Sequence, residues 1–185
     1  MASQRRLISA AVLILATVLG AHRPALAQET ADALFAQAKA DAKAQHKNVL
    51  MVFSASWCGP CQLYERFLED PRMMAITDRE FVIQRIDVGE RKGDPRHSDT
   101  PGGAELRSSL GAVGEPGFPF LVMTDENGDP IVNSYRNGDT SANIGYPASP
   151  AEIDWYIEML KRAALSLSPG ELAATNSWLQ KHSRH

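Results

Sequence analysis

Cysteine is almost absent from this chain of 185 residues; Cys58 and Cys61 are the only two. Any intramolecular disulfide must therefore join these two. A zinc site built on them would need two further ligands from histidine or carboxylate side chains. Charge of one sign is lacking as well. The 19 Lys and Arg against 22 Asp and Glu leave a formal charge of −3, and no basic run offers a nucleic-acid surface. Apolar runs are short: Leu7 to Leu19 falls below the roughly 20 residues of a spanning helix. No internal repeat divides the sequence.

That short apolar stretch follows Arg5 and Arg6 and precedes Ala25-Leu26-Ala27. A basic start, an apolar centre and an A-x-A site together read as an export signal over residues 1–27. A retained membrane anchor is the alternative. No cysteine stands near residue 27, so lipid attachment there is excluded. Cleavage would remove three arginines and no acid, leaving residues 28–185 more acidic and of single-domain length. Export would also place the chain in an oxidising compartment, where disulfides persist.

What is present is the run Trp57-Cys58-Gly59-Pro60-Cys61. The apolar strand-like segment Val49 to Phe53 precedes it, and the helical periodicity of Gln62 to Leu68 follows. A strand thus ends and a helix begins at the first cysteine. Helix starts carry unpaired N–H groups and partial positive charge, which favour a thiolate. Cys58 is expected to be the exposed nucleophile. Cys61, almost one turn later, is placed to attack a mixed disulfide on Cys58. Pro60 suits the first helical turn, and Gly59 leaves room for a partner chain. Covalent haem is excluded because Gln62 stands where histidine would be required. A purely structural disulfide would close too short a loop to stabilise much.

Elsewhere the pattern predicts a helix over 30–45, strands over 48–54 and 81–88, and helices over 58–69, 71–77 and 104–110. Strands over 119–124 and 131–136 flank the turn Asp125 to Asp129. Ser149-Pro150-Ala151-Glu152 and Ser168-Pro169-Gly170-Glu171 are capping boxes that open two final helices. Residues 89–102 read as a polar surface loop. Strands separated by helices are expected to join by parallel crossovers, and the last pair to form a hairpin. The expected class is α/β, a central sheet flanked by helices.

The Trp-Cys-Gly-Pro-Cys motif, in this strand-to-helix setting, resembles the thioredoxin-like family. The likeness covers about residues 30–165, with a C-terminal helical extension over 168–182. Lys47-Asn48-Val49, Glu65 and Asp70-Pro71 are similar to exported bacterial members. One of these is the C-terminal thioredoxin-like domain of the membrane thiol:disulfide interchange reductase. The resemblance implies a mixed sheet and a cis-proline opposite the dithiol, aligned with Pro119. It also implies an exposed backbone edge at Phe118 for substrate pairing. Trp57, Gly59, Pro60, Phe118 and Pro119 are then the expected substrate-binding residues.

Two departures from the family are visible. Val52 replaces a buried aspartate, and Ile83 replaces the lysine that pairs with it. Their joint loss avoids an unpaired buried charge. It leaves Glu65, one turn past Cys61, as the candidate proton acceptor for that thiol; a solvated surface glutamate is the alternative. His97 reads as a solvated loop residue, and Met73 and Met74 as helix packing rather than copper ligands.

The resemblance implies a protein-disulfide reductase with Cys58 and Cys61 as the redox-active pair, no bound cofactor and no metal. Expected partners are disulfide-containing envelope proteins and a membrane-borne thiol reductase as electron donor; a monomer is expected. A disulfide oxidase or isomerase is one alternative. A binding or chaperone module using the groove at Pro119 is another.

Overall fold

The computed structural model describes residues 28–94 and 97–183. The expected signal segment, 1–27, lies outside them. The first helix, α1 (Ala31–Gln45), starts at Thr30, whose hydroxyl accepts from the Ala33 amide. It ends at His46 in the left-handed region, φ 53°.

Strand β1 (Asn48–Ser54) is the centre of the molecule. Its residues alternate between two cores, as a strand covered on both faces must. Leu50 and Val52 enter one core, while Val49, Met51 and Phe53 enter the other. The next elements are α2 (Gly59–Glu69), α3 (Pro71–Glu80) and β2 (Phe81–Asp87). They are followed by α4 (Gly103–Ser109), β3 (Phe120–Thr124), β4 (Pro130–Asn133), α5 (Pro150–Ala163) and α6 (Pro169–His182). The sheet order is β2-β1-β3-β4. Side chains of α1 and α4 fill one face, and those of α2, α3, α5 and α6 fill the other. This is a mixed α/β sheet flanked by helices.

The expectation of parallel crossovers holds for β1 and β2 but fails at β3. Asn48 pairs with Phe81 and Ser54 with Asp87 in parallel, whereas Phe53 pairs with Phe120 antiparallel. The connection from β2 to β3 explains the reversal. Its one helix, α4, has 7 residues, about 10 Å of rise. A strand as long as β1 spans about twice that. The chain therefore stays at the end where β2 finishes and re-enters the sheet from there. Consequently Pro119 arrives beside the start of α2.

Two boundaries differ from the sequence reading by three residues. α3 runs to Glu80 rather than Thr77, because the Glu80 carboxylate is anchored after α5. β4 stops at Asn133 rather than Arg136. Ser134 instead turns its hydroxyl to the Leu121 amide and to Asn143. A 3-10 turn, Arg136–Gly138, follows with Asn137 at φ 56°. Both capping boxes form as predicted, at Ser149/Glu152 and Ser168/Glu171.

Candidate active site

β1 ends at Ser54, and α2 begins five residues later. Cys58 occupies the N-cap with extended backbone, and Pro60 lies in the first turn where its missing N–H costs nothing. Cys58 and Cys61 form a disulfide. The Cys61 amide donates to Cys58 Sγ at 3.1 Å. The helix start thus directs a backbone donor at the first sulfur.

Cys58 is not exposed. It is 4% accessible, the same as Cys61. The expected exposure of Cys58 is overturned. Phe118 packs against the buried cluster of Ala55, Cys58 and Cys61. Trp57 meets the Phe118 ring edge-on, with centroids 6.1 Å apart and planes at 81°. Trp57 itself is 45% exposed and forms the outer wall. A cleft of about 400 Å³ opens beside the pair, lined by Trp57, Cys58, Gly59, Pro60, Glu115, Gly117 and Phe118. Larger hollows, such as one between Arg136, Asp154, Trp155 and Arg162, hold no thiol.

The loop after β2 braces this wall. The Trp57 indole N–H donates to the Gly89 carbonyl at 2.8 Å, and the Arg91 guanidinium lies 5.6 Å from the Trp57 ring. Glu90 accepts from the Ser56 amide at 2.6 Å and from its hydroxyl at 2.7 Å. The Glu90 amide donates to Asp99 at 2.7 Å. Asp87, at the end of β2, reaches solvent yet is crowded by packed atoms. That crowding, then the charge of Glu90, holds its carboxyl above the ordinary range; His97 opposes the shift. His97 is exposed, as its sequence position suggested.

The Phe118–Pro119 peptide is cis. Pro119 is buried. The Asn143 side-chain amide donates to the Pro119 carbonyl at 3.2 Å. Gly59 and Pro60 are exposed, and a side chain built at Gly59 would meet nothing within 4 Å.

Glu65 is held in an ion pair. Arg85, opposite Val52 on β2, donates from Nε to both Glu65 oxygens at 2.8 and 3.0 Å, and from Nη2 at 2.7 Å. Both carboxylate oxygens are thus taken up by the guanidinium. Val52 is buried, and Ile83 packs at the margin of the same core with Tyr64 and Phe67. Met73 is a core residue and Met74 is exposed. Among the described residues, no group of three or more His, Cys, Asp or Glu side chains is arranged to hold a metal ion.

The sequence reading missed the Phe118 side chain as a cover, Gly89 and Glu90 as braces, and Arg107. This last residue, on α4, is 5% exposed, and its guanidinium lies 5.5 Å from the Phe118 ring. The glycine at 89 ends a strand and was a visible signal. Nothing local marks Arg107.

A family model described as thioredoxin-like matches residues 30–125. The chain belongs to this thioredoxin-like family. It is 29% identical over 101 residues to the thiol:disulfide interchange protein DsbD of Vibrio cholerae, covering 55% of this chain and 15% of that one. It is 27% identical over 170 residues to a protein disulfide-isomerase of Gallus gallus, covering 89% and 28%. The chain thus spans well under a third of the length of these relatives. A disulphide isomerase of Xylella fastidiosa Temecula1 shares the fold, with TM-score 0.51 and 21% identity over 85% of this chain and 95% of that one. Within this thioredoxin-like frame, the Trp57–Cys61 run and the Phe118–Pro119 segment converge from two separate stretches of sequence.

Proposed function

We propose that the chain is an exported thiol:disulfide oxidoreductase that reduces protein disulfides through Cys58 and Cys61. The observation that carries this reading is the disulfide at the start of α2, with the Cys61 amide directed at Cys58 Sγ. After reduction, the same amide and the helix start would favour a thiolate on Cys58. That thiolate attacks one sulfur of a substrate disulfide and releases the other as a thiol. Cys61, losing its proton, then attacks Cys58 Sγ. The second substrate thiol leaves, and the Cys58–Cys61 bond re-forms. Two electrons pass to the substrate, and a membrane-borne thiol reductase would return them. Glu65 is the acceptor assigned to the Cys61 proton, and it must first leave Arg85. Trp57, Gly59, Pro60 and the backbone at Phe118 and Pro119 would receive the substrate segment.

Relatives named for disulfide interchange and isomerisation support exchange chemistry at this pair. The Gly59-Pro60 spacer supports the reducing direction, by likeness to thioredoxins. The isomerase names among the relatives favour oxidase or isomerase activity as the second reading. Equilibration with glutathione buffers separates them. A potential near about −270 mV is expected, and one near about −120 mV would replace the first reading by the second. Dithiothreitol-driven reduction of insulin should require both cysteines, and Cys61→Ser should stall as a mixed disulfide that reveals the substrate. If Cys58→Ser, Cys61→Ser protein kept its biological effect, a redox-independent binding role would stand instead.

A further inference from the structure

We propose that the Phe118 side chain is a specificity-determining cap. It holds small thiols away from the Cys58–Cys61 pair and yields to an extended polypeptide. The inference rests on the reading above and assigns the class of substrate that the site accepts.

The burial of Cys58 does not come from its own loop. Its neighbours Gly59 and Pro60 are exposed, and the space over Gly59 is open. We attribute it to Phe118, which packs against the cluster of Ala55, Cys58 and Cys61. Its ring is seated from three sides. A side chain at Gly89 would place its Cβ 2.9 Å from Phe118 Cζ and 3.0 Å from Cε2, so the ring uses space that only glycine leaves. Trp57 closes a second side edge-on. The Arg107 guanidinium lies against the ring from the third. Among the described residues, Arg107 Nε is buried without a hydrogen-bond partner. It pairs with Glu115 at 3.2 Å, a side chain 88% exposed. The aromatic face is therefore a main compensation for this buried charge.

Thiol–disulfide exchange needs an attacking sulfur to reach the sulfur it bonds to. Cys58 is 4% exposed at the edge of the cleft, and under the proposed cap its sulfur is reached when the ring moves aside. A polypeptide that pairs with the 117–118 edge gains main-chain hydrogen bonds on the residue that carries the ring. A small thiol gains nothing comparable, so its rate is reduced by the fraction of time the cap stands open.

The test compares the oxidised protein with its Phe118→Ala, Phe118→Leu and Phe118→Tyr variants. Glutathione is the small probe and reduced insulin chains are the polypeptide probe. In the glutathione reaction, one thiolate attacks Cys58 Sγ and the bond to Cys61 breaks, its electron pair leaving on Cys61. A second glutathione thiolate then frees Cys58, giving oxidised glutathione and two protein thiols. Alkylation and mass measurement count those thiols with time. Phe118→Ala should react with glutathione about 10-fold to 100-fold faster, the range of a minor open state. Phe118→Leu should fall between, and Phe118→Tyr should match the parent. The ratio of the glutathione rate to the insulin-chain rate should rise, so selectivity falls. Should the alanine variant fail to fold, the leucine variant alone decides by the same comparison. Equal glutathione rates in parent and leucine or alanine variants would overturn the cap. Faster glutathione reaction in a variant, together with a parent that never reduces insulin, would remove the reductase reading and leave the cap standing.

Discussion

Glu80 and Arg107 are both buried charges, 1% and 5% exposed, and they are treated in opposite ways. Glu80 stands just before β2. It accepts from the Leu165 amide at 2.8 Å, the Ser166 amide at 2.8 Å, the Ser166 hydroxyl at 2.6 Å and Arg79 Nε at 2.9 Å. Burial alone would raise its carboxyl, but the Ser166 donors, Arg79 and Leu165 outweigh it and hold it below the ordinary range. Arg107 lies toward the other end of β2, near the dithiol. Among the described residues it has an exposed partner, an aromatic face and a nitrogen with no acceptor. A saturated charge fixes one geometry, here the turn from α5 to α6. An under-satisfied charge leaves its neighbours free to rearrange. The end of the sheet that must only hold together has the closed network. The end that carries the proposed chemistry has the open one.

The largest effect should come from breaking the closed network. Glu80→Ala leaves the Leu165 and Ser166 amides without their acceptor. Each orphaned group costs about 1–3 kcal/mol, so a loss of about 3 kcal/mol is expected after partial rehydration. Denaturant unfolding measures it, and insulin reduction per folded molecule should be unchanged. A loss below about 1 kcal/mol would mean that the network holds nothing.

Acid should undo the same junction more gently. Glu171 is held down to about 2, first by its hydrogen bond from Arg79 and then by Ser168. A carboxyl lowered on folding stabilises the fold above its unfolded value, and that contribution is lost as pH falls. The window runs from the ordinary 4.5 down to about 2. Trp178 packs on Phe67 with centroids 5.3 Å apart and stacks on His182, so its near-ultraviolet signal reports the docking of α6. That signal should fade across this window before global unfolding. Arg79→Ala, which removes the first cause, should shift the loss to higher pH.

A third charge, Glu65, is neither closed in nor left open. It is exposed in part, 29% against 46% for Arg85, and such pairs contribute at most about 1 kcal/mol. If it takes the Cys61 proton, the work is done against Arg85. Glu65→Gln should therefore slow resolution of the mixed disulfide by no more than about 10-fold, under the usual range for one general base. Arg85→Gln should speed resolution only while Glu65 is present. An unaltered pH–rate profile in Glu65→Gln would retire the role and leave a surface ion pair.

The legible parts were those written in neighbouring residues. Both capping boxes and the strand-to-helix step at Cys58 are local in sequence, and all were formed. The rest depends on partners far apart. Phe118 reaches the cysteines across the whole β2–β3 connection, and Glu80 binds residues 85 and 86 positions away. The direction of β3 was misread because strand-helix-strand order does not state how far a helix carries the chain; a 7-residue α4 carries it too little. Cys58 was expected to be exposed from the position of its helix alone. An aromatic residue before Pro119 was in the sequence, but only the packing shows that it lies against the cluster that holds both cysteines.

The smallest effect is expected at Arg107, and it bears hardest on the contrast with Glu80. Replacing a poorly compensated buried charge with an apolar side chain of similar length is often neutral or stabilising. Arg107→Met should therefore stay within about 1 kcal/mol of the parent in denaturant unfolding, because the desolvation cost of the charge disappears along with its contact to the Phe118 ring. Exposed Glu115 loses only a weak partner. If Arg107→Met instead cost about 3 kcal/mol or more, the range for breaking a well-made buried pair, Arg107 would be a structural charge of the same kind as Glu80. The two outcomes also differ at the site. A methionine that leaves stability intact but loosens the seat of Phe118 should raise the glutathione rate a few-fold, less than Phe118→Ala. A structural Arg107 would lower stability and leave that rate, per folded molecule, where it was.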